Sequence, residues 1–304
     1  VGVVGVQFLM PRGIFVLAGL LLATEPALAH DGTRTPGLWV TALLAISLAS
    51  YALGLAALWR HAGAGRGVSY GRAACFIGGW LVLAAALVSP LDSLGRQLFA
   101  AHMVQHTLLM TAAAPLLVLG RPLAAWAWAL PRSARRSTGA ALRRPAWRAI
   151  WRRITAPMSA WLLHATVLWL WHVPSCFDAA MVRPALHALQ HTSFLAGALL
   201  FWWSVLGPSA RAAPGAALAS LFTTLLHTGA LGALIALSSN VWYAPYIDTA
   251  VTRGWNALED QQVGGLVMWA PAGLAYVAAG LSLVWSALSR IASGAWPPEP
   301  RLRA

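Results

Sequence analysis

Seven continuous apolar runs dominate the chain, at about 37–59, 73–89, 98–119, 157–173, 186–206, 217–240 and 264–288. Each approaches the ~20 residues that a membrane-crossing helix needs. The runs do not alternate apolar with polar positions, which argues for helices and against the strands of an outer-membrane barrel. Pro36, Pro90, Pro157, Pro174, Pro208 and Pro214 punctuate their ends. Trp39, Trp59, Trp171 and Trp242 sit near those ends, as interfacial anchors do. The pattern predicts an all-α protein, a polytopic transmembrane helical bundle of about seven spans.

A further segment precedes the spans. Met10-Pro11-Arg12 is a short basic stretch, Gly13–Thr24 is apolar, and Ala27-Leu28-Ala29 is a small-residue cleavage pattern. Residues 1–29 read as a secretory signal peptide, with an uncleaved first helix as the alternative. Cleavage after Ala29 makes His30 the first residue of a 30–304 transmembrane domain. An N-terminal histidine can chelate copper through its amine and ring, or simply follow the cleavage site in a tail.

Composition narrows the class. The chain is 59% hydrophobic and 10% charged, with a mean hydropathy of +0.66. A soluble domain carries about 25% charged residues, so a water-soluble enzyme or a disordered chain is excluded. The net charge is +13, and all the basic residues are arginines. With the mature N-terminus outside, 16 arginines fall in inner connections and the C-terminal tail, and only Arg34, Arg96, Arg183 and Arg253 fall outside. That asymmetry obeys the positive-inside rule. It predicts a multi-pass protein of the bacterial inner membrane, with a periplasmic N-terminus and a cytoplasmic C-terminus. Its basic face then meets anionic lipid of the inner leaflet, not nucleic acid. The longest connection, 120–156, is a basic cytoplasmic loop in this reading. Trp147, Ile150, Trp151 and Ile154 alternate there with arginines, so either an amphipathic helix on the leaflet or a solvated loop would fit.

Histidine is the informative residue. His102 and His106 are four apart, on one face of a helix, and His187 and His191 repeat that spacing. Both pairs fall in the first turns of spans that start outside, and His172 ends a span at the same depth. His164 and His227 lie deeper. Five imidazoles from three helices can therefore share one layer, open to the periplasm. Imidazole is a ligand for copper, zinc, iron and nickel. Interhelical hydrogen bonding and proton relay remain open as alternatives. Cys176 is a soft ligand candidate near the layer, of the kind that favours Cu(I), whereas Cys75 lies toward the inner side. Gln105, Gln190, Asp178, Asp260 and Gln261 lie on the outer side and could orient metal-bound rings. Asp260 could instead cap the helix that it begins.

Several strings together resemble a known family. They are His102-Met-Val-Gln-His106-Thr-Leu-Leu-Met110, followed by Ala-Pro115-Leu-Leu-Val-Leu-Gly120; Trp171-His172-Val-Pro174; Leu186-His187 with Gln190-His191; Phe201-Trp202; and Asp260-Gln261-Gln262 leading to Gly264-Gly265 and Met268-Trp269. In this order they resemble the CtaG-type assembly factors of caa-type cytochrome c oxidase. Gln190 stands where that pattern more often has glutamate. The resemblance implies a polytopic membrane protein that aids assembly of a haem–copper oxidase, with an oxidase subunit as partner and a role in copper supply. The residues by themselves leave two other functions open. One is haem binding for electron transfer through axial histidines. The other is an intramembrane zinc hydrolase in which Asp260 handles the proton.

Overall fold

The computed structural model describes residues 38–207 and 214–293. The signal segment and His30 lie outside the described residues. Among those described there is no strand; thirteen α-helices follow one another, with a 3-10 turn, Ala244–Tyr246, before the twelfth. They are α1 (Leu38–Ala62), α2 (Tyr70–Val88), α3 (Pro90–Gly95), α4 (Phe99–Gly120), α5 (Pro122–Ala129), α6 (Arg132–Arg143), α7 (Pro145–Ile154), α8 (Pro157–His172), α9 (Pro174–Val182), α10 (Pro184–Leu206), α11 (Pro214–Ala236), α12 (Ile247–Thr252) and α13 (Ala257–Ala292). Seven of them open on proline at the first turn, where the missing N–H costs nothing and φ is already helical: α3, α5, α7, α8, α9, α10 and α11.

Five helices are long and apolar enough to cross a membrane: α1, α2, α4, α11 and α13. The runs expected at 157–173 and 186–206 are also helical, as α8 and α10. α8 has only 16 residues, and α10 carries His187, Gln190 and His191 within its apolar stretch. α4 is the axis of the bundle. Its apolar stretch is 61% buried, against 17–39% for the other four candidate spans. α2, α3, α10 and α13 all pack on it. α11 and α13 meet through small residues: a Cβ on Gly232 would stand 2.9 Å from the Gly265 carbonyl oxygen, so only glycine permits this approach.

α4 is not a regular α-helix. Residues Leu108–Ala113 form a π-helical turn in which the Ala114 N–H reaches the Leu109 carbonyl. The next donor in that pattern would be residue 115, but Pro115 has no N–H. Met110 O, left without its backbone partner, accepts instead from Trp202 Nε1 of α10 at 2.7 Å. The proline and the tryptophan thus complete one another across two helices. The widened turn begins two residues after His106 and sets the rotation of the histidine face relative to the rest of α4.

The stretch 120–156 is helical rather than an irregular loop. Arg121 turns the chain in the left-handed region (φ 50°), the one non-glycine residue to do so among those described. α5 then packs along α1, where Gly54 lies against the Ala125 carbonyl and Trp126 Nε1 donates to Ser47 O at 3.0 Å. Residues 122–129, read from sequence as connection, therefore belong to the packed bundle. α6 and α7 carry the arginines. α7 stays attached through Trp151, whose ring lies 6.0 Å from that of Trp203.

Candidate metal centre

The first turns of α4 and α10 enter the bundle side by side, at the end opposite the arginine-rich helices. His102 and His106 project from α4, and His187 and His191 from α10. The ring centroids of His102 lie 4.3 Å from His106, 5.3 Å from His187 and 5.6 Å from His191. His106 lies 5.2 Å from His191 and 6.1 Å from His172, the last residue of α8. One ring nitrogen each from His102, His106 and His191 falls within 4.8 Å of the others. His102 Nε2 and His106 Nε2 are 2.8 Å apart. Nδ1 of His106 and Nε2 of His172, His187 and His191 are buried without a hydrogen-bond partner.

The surroundings hold these rings in place. His172 Nδ1 donates to Leu168 O at 2.7 Å, which directs Nε2 away from its own helix. Gln105, between the two α4 histidines in sequence, faces α2 and α3 instead, donating to Ala86 O at 2.8 Å. Gly95 ends α3 where any Cβ would collide with the Gln105 side chain and stand 3.3 Å from His102 Cα. Asp92 of α3 pairs with Arg96 at 2.7 Å, and both act electrostatically on His187. An aromatic roof of Phe99, Phe177, Tyr243 and Tyr246 closes the cluster. Tyr243 donates to His172 O at 3.0 Å, and Tyr246 to Gly95 O at 2.8 Å. Burial, with Asp260 and Asp178 nearby, pushes the Tyr246 phenol well above its ordinary value, so it keeps its proton.

The expected layer is present in part and differs in its access. His102, His106, His172, His187 and His191 do come together. The layer is not open, however: His102 and His106 are 0% exposed and His172 3%, while only His187 and His191 are half-buried. The roof, made by Phe99 at the start of α4, by α9 and by the connection after α11, covers the deeper pair. Asp260 does not join the rings. Both its carboxylate oxygens accept backbone N–H groups at the start of α4, from Phe99 at 2.6 Å and Ala100 at 3.0 Å. It caps not its own helix but the one that carries His102. Gln261 is likewise committed elsewhere: Oε1 accepts from Trp242 N at 2.6 Å, and Nε2 donates to Asn240 O at 3.0 Å. Cys176 is a half-buried free thiol; the residue of α9 that packs on His102 is Phe177, at 5.2 Å. His164 stacks on Phe201 at 5.0 Å, and His227 accepts from Trp169 Nε1 at 3.4 Å, so neither is in the cluster. His61 is exposed at the opposite end, beside Trp128.

Sequence reasoning passed over Tyr243 and Tyr246. Their one signal was the aromatic richness of the connection 241–263, which gave no reason to select either ring.

The donor set suits a metal ion. Imidazole nitrogens bind zinc at about 2.0–2.1 Å, which puts ligand atoms in a trigonal or tetrahedral site roughly 3.3–3.5 Å apart. The nitrogens of the triad all lie within 4.8 Å of one another, and His106 Nδ1 and His191 Nε2 are buried without a hydrogen-bond partner, where an unpaired polar atom is otherwise costly. A family model described as cytochrome c oxidase caa3 assembly factor matches residues 49–290. No curated protein and no solved structure matches the chain.

Proposed function

Because the chain belongs to the cytochrome c oxidase caa3 assembly factor family, we propose that its histidine cluster holds copper, as Cu(I), in transit to an oxidase subunit. In this reading α8 and α10 complete seven spans, the histidine end faces the periplasm, and the arginines of α6 and α7 face anionic lipid of the inner leaflet. The observation that supports the metal reading is the convergence of two i,i+4 histidine pairs: one nitrogen each from His102, His106 and His191 lies within 4.8 Å of the others, and His106 Nδ1 and Nε2 of His187 and His191 are buried without a partner. Cargo must also leave. His187 and His191, half-buried beside Asp92 and Arg96, supply the exchangeable side of the cluster, and His102 and His106 the retaining side.

The geometry weighs against the other two functions. A haem cannot lie between His102 and His106, whose Nε2 atoms are 2.8 Å apart. A hydrolase would need a carboxylate at the metal, and Asp260, the candidate for it, is engaged by two backbone amides. The test is elemental analysis with an optical spectrum of detergent-purified protein, wild type against His102→Ala/His106→Ala. Copper in the wild type, lost in the variant, together with failed oxidase assembly in cells carrying the variant, is the expected result. A Soret band, stoichiometric zinc with no copper, or unchanged copper in the variant would overturn the reading.

A further inference from the structure

A histidine can give a metal only a nitrogen that carries no proton, so the tautomer of each ring matters. His102 is the ring whose far side is fully specified. Its Nε2 faces His106. Its Nδ1 points out of the cluster, 2.9 Å from Tyr246 Oη and 3.3 Å from Gly95 O. Tyr246 Oη is itself 2.8 Å from Gly95 O. The three atoms form a closed triangle with few protons to share.

Counting those protons decides the tautomer. The phenol brings one proton and the carbonyl none. If Nδ1 were bare, the single phenol proton would serve both Nδ1 and Gly95 O, and Nδ1 would face the carbonyl as acceptor against acceptor. If Nδ1 carries a proton, Tyr246 donates to Gly95 O while its Oη accepts from Nδ1–H. Every contact then has a donor. Water cannot replace the missing donor, because His102 is 0% and Tyr246 1% exposed. Met181 Sδ, 3.4 Å from Oη, is only a weak further acceptor.

We propose that Tyr246 is a positioning residue that fixes His102 as its Nδ1–H tautomer and so presents an unprotonated Nε2 to the cluster. Its use for copper rests on the function proposed above; the proton count stands without it. Tyr246 lies 144 residues from His102 along the chain and is held by edge contact with Phe99 at 5.7 Å and by Phe177 at 6.1 Å. The connection after α11 therefore both roofs the cluster and sets the chemistry of its deepest pair. Orienting partners of this kind are worth about 10- to 100-fold in metal affinity.

The experiment uses full-length protein in detergent with 15N-labelled histidine, and a His102→Gln difference spectrum to assign the His102 signals. In metal-free wild type, His102 should carry its proton on Nδ1. In Tyr246→Phe the shorter Nδ1 contact is lost and only Gly95 O, at 3.3 Å, remains to accept from Nδ1–H, so the Nε2–H form should gain population beside the Nδ1–H form, and Cu(I) affinity, measured by competition with a Cu(I) chelator, should fall about 10- to 100-fold. Met181→Leu should change neither. A wild-type His102 protonated on Nε2 overturns the proposal, whether or not any variant folds. So does a Tyr246→Phe protein whose balance of Nδ1–H and Nε2–H forms is the same as in the wild type, whatever its affinity. If the wild type takes up no copper, the metal function falls and the nitrogen spectra alone decide this inference.

Discussion

Trp202→Phe removes one hydrogen bond and little else of the ring's position, and its cost can be worked out in advance. Met110 O lies in the interior, where Met110 is 5% exposed, and Trp202 Nε1 is the donor that replaces the N–H missing from Pro115. A buried carbonyl left without a donor costs about 1–3 kcal/mol. In membrane bundles, side-chain hydrogen bonds average only about 0.6 kcal/mol and reach about 1.7. A loss of about 1–2 kcal/mol is therefore expected, part of it from the smaller ring stacked on Tyr276 at 5.8 Å. The hydrogen-bond share can be isolated. In Pro115→Ala, residue 115 regains an N–H within reach of the same carbonyl, so Trp202→Phe should cost less in that background, by about 1 kcal/mol. Reversible unfolding in mixed micelles, followed by far-ultraviolet circular dichroism, gives all four corners of the cycle. If the two substitutions add to within about 0.5 kcal/mol, the tryptophan does not stand in for the proline's missing donor, and the reasoning fails.

Other perturbations separate the site from its scaffold. Gly95→Ala should destabilise the protein by about 1–3 kcal/mol and lower copper occupancy, because its Cβ collides with the Gln105 side chain beside His102; thermal melts and elemental analysis check both. Asp260→Ala should cost about 0.5–2 kcal/mol through the uncapped start of α4, in the same unfolding assay. His191→Ala should cut copper content sharply while His61→Ala leaves it unchanged, read by metal analysis of the purified variants. A reporter fused after Arg303 should be active only if it folds in the cytoplasm; periplasmic activity would refute the orientation.

The helices were legible because long apolar runs mark them, and each expected run is largely helical, five of the helices being long and apolar enough to cross a membrane. The two histidine pairs were legible because a four-residue spacing is local. What the sequence concealed was tertiary. The carboxylate of Asp260 serves a helix that begins 161 residues earlier, which no periodicity can reveal. The segment Pro122–Ala129 sits among arginines on either side and reads as loop, yet it packs on α1 through Gly54. Pro115 removes a donor inside α4, but nothing local to it shows that Trp202, 92 residues from Met110, supplies the replacement. The closure of the site was hidden for the same reason: apart from Phe99, its roof comes from α9 and the connection after α11, both far from His102 in the chain.

The cluster is made of neutral rings, and among the described residues no carboxylate joins the triad; the nearby Asp92 is matched by Arg96. The charge inside is then the charge of the ion alone. The work of drawing an ion out of water grows with the square of its charge, so a divalent ion pays about four times what a monovalent one does, with no anionic ligand to offset it. Under the function proposed above, a chamber of this composition therefore weights the choice by valence as well as by element: with no carboxylate to offset the second charge, it favours Cu(I) over Zn(II) or Cu(II) more than the nitrogen spacing alone would.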